Sequence, residues 1–505
     1  MSLGRYLLRG SGANLMDHGV KMASILYITP LMRHSLGDDG YGSWLLAMSV
    51  VGYFILLDAG VTFASVRFFA HAVGEGDKRH QGAIEREAQR ILRFIGLGIL
   101  VCTLVAIPMM PWIASQKFSV LQVTAPLVLC GLVTAVRFAF RMPVILLRAH
   151  VRYDLLAWAS IVRTLAQTFS MSWVLINGYG LIGAAIAHGG GELLELLLQT
   201  RWARRLPKTQ ACELPEDEKR KARHELFAYS NSVLLVNIGD SLRLQVNPLL
   251  ISRMFGVAEV PVYSIGLRMI TMLEDVVNAL FGGQVLSVFS QLHGAGKHEE
   301  LRMQFRRVTR ITSIFASWAV VGAVFVSEPF FKRWMGADFG RAHDLLFILA
   351  FPYALRFMQF PSHSLIYTAS APRWLIWVNF AGGFVTVILS LLLGPIFGLH
   401  GVVMGTALEM SAVYLFIMPV MVGKLARIHP VRYLLEDVLW PGIKALAIPM
   451  LYGWAFSSWL TPDFNRLFLF GAGYALVFAA SAPFLALDKQ TRAFIRRLLP
   501  KPFRT

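Results

Sequence analysis

Leu15-Met16-Asp17-His18-Gly19-Val20-Lys21-Met22-Ala23-Ser24-Ile25-Leu26-Tyr27 sets an acid and a base inside a largely apolar run, 13–36, that is long enough to cross a membrane. Asp17 and Lys21 stand at i, i+4, so both lie on one face of a helix. That face cannot point at lipid. A charged side chain at the bilayer centre costs about 2.5–3.5 kcal/mol even on the mildest insertion scale, and such residues usually face a bundle interior or a water-filled cavity. The pattern recurs in 230–255, where Asp240 and Arg243 stand at i, i+3. An ion pair that locks neighbouring helices would explain one copy as well as a functional role does. Two copies favour a polar lumen.

The rest of the chain agrees with a polytopic membrane protein. Of 505 residues, 56% are hydrophobic and 15% charged, a balance that excludes an ordinary soluble multidomain enzyme. The formal charge of +18 would suit nucleic acid, but the lysines and arginines sit mainly in short loops between apolar runs, which membrane topology explains better, so no nucleic-acid partner is expected. Cys102, Cys130 and Cys212 are far apart and show no metal-ligand spacing, so neither a disulfide framework nor a metal site is expected. Arg5 and Arg9 precede the first apolar run, but no small-residue cleavage pattern follows it, so the run reads as a retained helix.

A spanning helix needs about 20 apolar residues. That criterion predicts an all-α chain of 14 transmembrane helices, from 13–36 and 41–70 at one end, through 153–177 and 180–203, to 438–460 and 465–487 at the other. Positive charges gather in alternate connections, including 201–225, the longest polar stretch, and in the tail after 487. This asymmetry predicts both termini in the cytoplasm.

Four collinear matches at offsets near 220 residues reveal a direct repeat. Gly74-Glu75-Gly76-Asp77 answers Gly294-Ala295-Gly296-Lys297, with Arg86 and Arg90 answering Arg306 and Arg310. Ala135-Val136-Arg137-Phe138 answers Ala354-Leu355-Arg356-Phe357, Trp158 answers Trp377, and Gly180-Leu181-Ile182-Gly183 answers Gly398-Leu399-His400-Gly401. The expected organisation is an N-lobe of six helices (1–212), a pseudo-symmetric six-helix C-lobe (213–430), and a last helix pair with a basic cytoplasmic tail (431–505). An even number of helices per half gives the copies one orientation, with a site expected between lobes.

Cations predominate among the charges that fall inside the expected spans. Lys21, Arg137, Arg243, Arg268 and Arg356, with Arg163, lie deep enough to line a lumen, whereas Arg67 and Arg141 can snorkel to the interface. Such a lumen suits a concentrated anion, and phosphate or pyrophosphate fits best because guanidinium forks satisfy its oxygens bidentately. For a single arginine, helix packing is an equal alternative; the matched repeat positions of Arg137 and Arg356 lower it. Asp58, Glu274 and Glu409 are candidates for ion coupling, and Asp17 and Asp240 for tuning the lumen charge.

No catalytic constellation appears. Neither Gly-x-Gly loop continues into the Lys-Ser/Thr of a nucleotide-binding loop, so no ATP engine and no cofactor are expected, and proton or sodium coupling is left as the source of drive. Gly189-Gly190-Gly191 lies within a span and suits close helix packing. His188, His363 and His400 are scattered singly, and Asp38-Asp39 between Gly37 and Gly40 reads as turn chemistry.

Leu36-Gly37-Asp38-Asp39-Gly40-Tyr41-Gly42, the stretch Leu57-Asp58-Ala59-Gly60 leading to Arg67 and Gly74-Glu75-Gly76-Asp77, and the repeated Gly-Leu-x-Gly at 180 and 398 resemble bacterial polysaccharide flippases of the Wzx type, in the multidrug/oligosaccharidyl-lipid/polysaccharide (MOP) exporter superfamily. The resemblance covers nearly the whole chain. It implies a MOP/MATE-like fold in a bacterial inner membrane. It also implies alternating-access transfer of an undecaprenyl-pyrophosphate-linked oligosaccharide, an O-antigen, capsule or exopolysaccharide unit, whose pyrophosphate enters the cationic lumen. Membrane lipids, a polysaccharide polymerase and glycosyltransferases would be its partners. Lipid II flippases of that superfamily also have 14 helices, and by analogy the last pair would guide the polyprenyl tail. Three alternatives stay open: a lipid II flippase, a multidrug or small-metabolite antiporter on the same scaffold, and a membrane glycosyltransferase or polymerase.

Overall fold

The computed structural model describes residues 3–58, 61–75, 78–110, 120–150, 152–207, 245–368 and 372–486. Among these residues there are helices, turns and short connections, and no strand. Asp240, Arg243 and the expected boundary at 212/213 lie outside the described residues.

The chain divides into two compact units. One is Met1–Pro261 with Asn379–Phe384, the other Val262–Val378 with Val385–Thr505.

In the first unit, α1 (Leu3–Phe54) is broken at Gly37, whose φ of 72° lies in the left-handed region that a glycine enters without a Cβ clash. Arg33 braces the break from one side: its Nε donates to Asp38 Oδ1 at 2.7 Å. A 3-10 turn, Ile55–Asp58, then leads to α2 (Val61–Glu75). The expected single span 41–70 is therefore divided. Its cause is polar: Asp58 is buried and accepts from the Thr62 N–H at 3.2 Å and the Thr62 hydroxyl at 2.7 Å, satisfying a donor at the start of α2.

α3 (Lys78–Ala106) buries Ile84, Ala88, Leu92, Gly96 and Ile99 on one face and packs on α4 (Val120–Ala139). α5 (Met142–Ala149) follows at a bend of 49°. α6 (Tyr153–Ile176) packs on both α1 and α7 (Gly180–Ala203). Two apolar clusters hold the unit, one around Leu46, Phe54, Ile99 and Phe138, the other around Phe69, Leu92 and Ile145.

The second unit opens with α8 (Val260–Gly294) and α9 (His298–Met335). α10 (Ala342–Met358) bends by 41° into α11 (Phe360–Thr368). Both bent pairs restart on a proline at the second position, Pro143 and Pro361, where a missing N–H costs nothing because the first turn has no intrahelical acceptor for it. α12 (Pro372–Phe397) precedes α13 (Leu399–Ala412), and α14 (Met418–Ala426) follows a π-helical turn, Val413–Ile417. A second π-helical segment, Tyr433–Leu439, runs into α15 (Trp440–Phe456), which packs on α9 and on α16 (Phe464–Leu485). Trp318 of α9 stacks on Phe478 and Tyr474 of α16 with ring centroids 4.8 and 6.2 Å apart.

The repeated Gly-Leu-x-Gly does the same work in each unit. Gly180 and Gly398 both take φ of 64° at the start of a helix, and a methyl on Gly183 or Gly401 would overlap the preceding corner, in the second case the Leu393 carbonyl.

Large apolar side chains point outward on many helices, Trp454, Phe468 and Phe484 being about three-quarters exposed. A water-soluble fold does not leave such a surface open. Seven described helices are long and apolar enough to cross a membrane, or up to nine if each bent pair is one span. The chain is a multi-pass membrane protein.

Candidate functional site

The most concentrated charge inside the first unit is built on α4, α6 and α7. α7 reads His188-x-x-x-Glu192-x-x-Glu195-x-x-x-Gln199, a spacing of 4, 3 and 4 that puts all four on one face. Glu192, Glu195 and Gln199 are buried.

Two arginines meet them. Arg163 on α6 donates from Nη1 to Glu192 Oε1 at 2.6 Å and brings Nε within 3.2 Å of Glu195 Oε2. Arg137, near the end of α4, donates from Nη2 to Glu195 Oε2 at 2.9 Å and pairs with Glu192 through Nη1. Gln199 Nε2 donates to Glu195 Oε1 at 3.0 Å. Two positive and two negative side chains therefore balance in charge, which is how ionised groups persist away from water, although Arg163 Nε is buried without a hydrogen bond among the described residues.

Polar groups continue the seam along α6 toward α1. Gln167 Nε2 donates to the His188 carbonyl at 2.8 Å, Trp44 meets His188 edge-on at 5.5 Å, and the Thr168 and Ser24 hydroxyls are 2.5 Å apart. Gly191 fits where Gln167 crosses, since a methyl there would overlap the glutamine. Close packing is thus part of what the triple glycine does.

Of the other residues expected in this unit, Lys21 is half-buried and its Nζ donates to Asp17 Oδ2 at 2.6 Å. The second Asp17 oxygen is buried and has no hydrogen-bond partner among the described residues. Asp58 is engaged at the start of α2, as above.

In the second unit, Arg356 of α10 donates from Nη2 to Glu274 Oε1 of α8 at 2.6 Å, both side chains about one-fifth exposed. Its guanidinium also lies 5.8 Å from the Tyr353 ring. Two expectations, a cation and a coupling acid, are here one ion pair. Arg268 is half-buried on α8. Glu409 of α13 is buried, with the Thr386 hydroxyl 3.5 Å away.

Sequence reading overlooked Glu192 and Glu195 because the leucines that follow each of them keep the run's hydropathy high. Their signal was present: two acids one turn apart inside a span are as costly as the Asp17/Lys21 pair and demand partners. Asp437 was also overlooked. It is fully buried, and its two oxygens accept from Arg306 Nε and Arg310 Nε, each at 2.7 Å. Arg306 and Arg310, read from the sequence only as counterparts of Arg86 and Arg90, are thereby tied to the segment that begins the last helix pair. No group of three or more histidine, cysteine or acidic side chains suited to a metal ion occurs among the described residues.

Residues 84–343 match the family model described as Polysaccharide biosynthesis protein. The uncharacterized membrane protein EpsK of Bacillus subtilis (strain 168) is 21% identical over 401 residues, which span 76% of this chain and 74% of that protein. Among solved structures, the lipid II flippase MurJ in an inward closed conformation superposes with a TM-score of 0.70 at 12% identity, over 97% of this chain and 99% of its own. An inward-facing multidrug resistance MATE family transporter of the MOP superfamily gives 0.67 at 14% identity, over 81% and 99%. At these identities the structural likeness establishes the fold.

Proposed function

The chain belongs to the polysaccharide biosynthesis protein family, and from that premise we propose that it is a flippase for an undecaprenyl-pyrophosphate-linked oligosaccharide. It works as a secondary transporter by alternating access, with 14 spans, two six-helix repeats and both termini in the cytoplasm of a bacterial cell. A polysaccharide polymerase and glycosyltransferases act before and after it.

The observation that carries this reading is the quartet of Arg137, Arg163, Glu192 and Glu195 inside the first unit. Guanidinium forks bind carboxylate and phosphate with the same geometry. A diphosphate can therefore replace the two glutamates on the two arginines. An ion gradient, taken here as protons, is the proposed drive, without nucleotide. The Arg356–Glu274 pair repeats this chemistry in the second unit with one arginine and one acid.

The test is leaflet translocation in sealed proteoliposomes containing a pyrophosphate-linked oligosaccharide lipid, with lipid II in a parallel set. Wild type moves the oligosaccharide lipid, and a proton gradient changes the rate. Arg137→Lys keeps the charge but loses the fork, and transport falls about tenfold with folding intact. Absence of translocation by folded, correctly oriented protein would overturn the reading, and movement of lipid II alone would reassign the cargo.

A further inference from the structure

The outer face of α3 differs sharply from its counterpart 220 residues further on. In the second unit, Arg306 and Arg310 of α9 hold Asp437, Ser313 donates to the Val438 carbonyl, and the Ser317 hydroxyl lies 3.4 Å from the Gly442 carbonyl. Ile314 on that face joins Ala445 and Ala482 in an apolar cluster. A carboxylate at the arginine level, followed by an apolar rod lying along the helix, covers it.

In the first unit the corresponding residues are Arg86, Arg90, Arg93, Phe94 and Leu97. They line a cavity of about 770 Å³ along α3. All five are exposed, and the three arginines make no ion pair among the described residues. Glu85 is the one carboxylate on the lining. Val101 and Leu104 carry the exposed apolar stripe onward, both more than half exposed.

We propose that this face binds one anionic glycerophospholipid of the surrounding bilayer, its phosphate among Arg86, Arg90 and Arg93 and an acyl chain along Phe94, Leu97, Val101 and Leu104. The lipid supplies what the chain itself supplies in the second unit: an anion at the arginine level and an apolar body beyond it. A partner's transmembrane helix is the poorer occupant. Where α15 lies against α9, the contacting residues are the small Ser313, Ser317 and Gly442 that let two backbones approach; the equivalents on α3 include Arg93 and Leu97, which hold a second helix away. Acyl chains adapt to such a surface, and three arginines outnumber the single carboxylate. A guanidinium near an interface attracts anionic lipid by about 1 kcal/mol.

The experiment is native mass spectrometry of the purified full chain titrated with phosphatidylglycerol, with phosphatidylcholine in parallel. Wild type retains one phosphatidylglycerol in preference to phosphatidylcholine. Arg86→Ala/Arg90→Ala/Arg93→Ala weakens that binding about 100-fold, while Arg204→Ala/Arg205→Ala, which removes exposed cations at the end of α7, leaves it intact. Equal binding by the α3 variant, or an equal loss in the α7 control, overturns the site. A photoreactive residue at Leu97, with every arginine kept, guards against a variant that fails to fold. An anionic phospholipid adduct supports the proposal; a protein adduct or a polyprenyl lipid adduct refutes it.

Discussion

Glu192→Gln breaks the first unit's charge balance while nearly preserving the side chain's shape. Arg163 loses its 2.6 Å partner and Arg137 one of its two carboxylates, leaving one uncompensated positive charge in a site where Glu192 is 9% and Arg163 20% exposed by side chain. Removing one member of a buried pair costs about 3–5 kcal/mol, and partial opening on the Arg137 side argues for the lower end, about 3 kcal/mol. For a unit of this size each kcal/mol lowers the unfolding midpoint by about 2–4 °C, so the variant should lose about 6–12 °C. Arg163→Gln added to Glu192→Gln restores neutrality. Arg137 then keeps Glu195, and the remaining deficit of about 1 kcal/mol is that of ordinary hydrogen bonds. The double variant should therefore recover most of the midpoint, about 2 of the 3 kcal/mol that the single variant loses. The assay is the temperature at which half of the purified protein remains monodisperse on size exclusion in detergent. A Glu192→Gln midpoint within about 2 °C of wild type, or a double variant no better than the single, would show that the quartet is not charge-coupled.

Asp437→Ala removes two charge-assisted hydrogen bonds from Arg306 and Arg310, so the last helix pair should loosen from α9, and limited proteolysis after α14 should accelerate at least tenfold for a loss of about 2–3 kcal/mol. Unchanged proteolysis would separate Asp437 from that contact. Gly401→Ala should reduce the yield of folded protein more than Gly190→Ala, because a methyl overlaps the Leu393 carbonyl in the first case and meets open space in the second; equal yields would show that the α12–α13 corner relaxes freely.

Hydropathy and charge asymmetry made the helical elements legible because each is a local property. The spans expected at 153–177 and 180–203 match α6 and α7 to within a residue, since an Asn-Gly corner separates two largely apolar runs. Breaks near Asp58, Arg141 and Gln359 were hidden for the opposite reason. A window long enough to detect a span averages over the few residues at which the helix axis turns, although Pro143 and Pro361 mark two of them. The charged residues were visible singly and their partnerships were not. Arg306 finds Asp437 at a separation of 131 residues and Arg356 finds Glu274 at 82, distances at which no periodicity carries information. Glu192 and Glu195 could have been found by asking where the counter-charges for Arg137 and Arg163 must lie. Asp240 and Arg243 fall outside the described residues.

The length of α9 gives the second unit a lever. Its 38 residues, His298–Met335, make one continuous helix of about 57 Å with Pro329 near its far end, against a hydrocarbon thickness of about 30 Å. About 27 Å of rigid helix must therefore extend past the hydrocarbon, and a change in tilt of about 20°, the size of an ordinary span's inclination, sweeps that overhang sideways by about 9 Å. Arg306 and Arg310 ride near its first end and hold Asp437, so such a tilt would carry the start of the last helix pair with it.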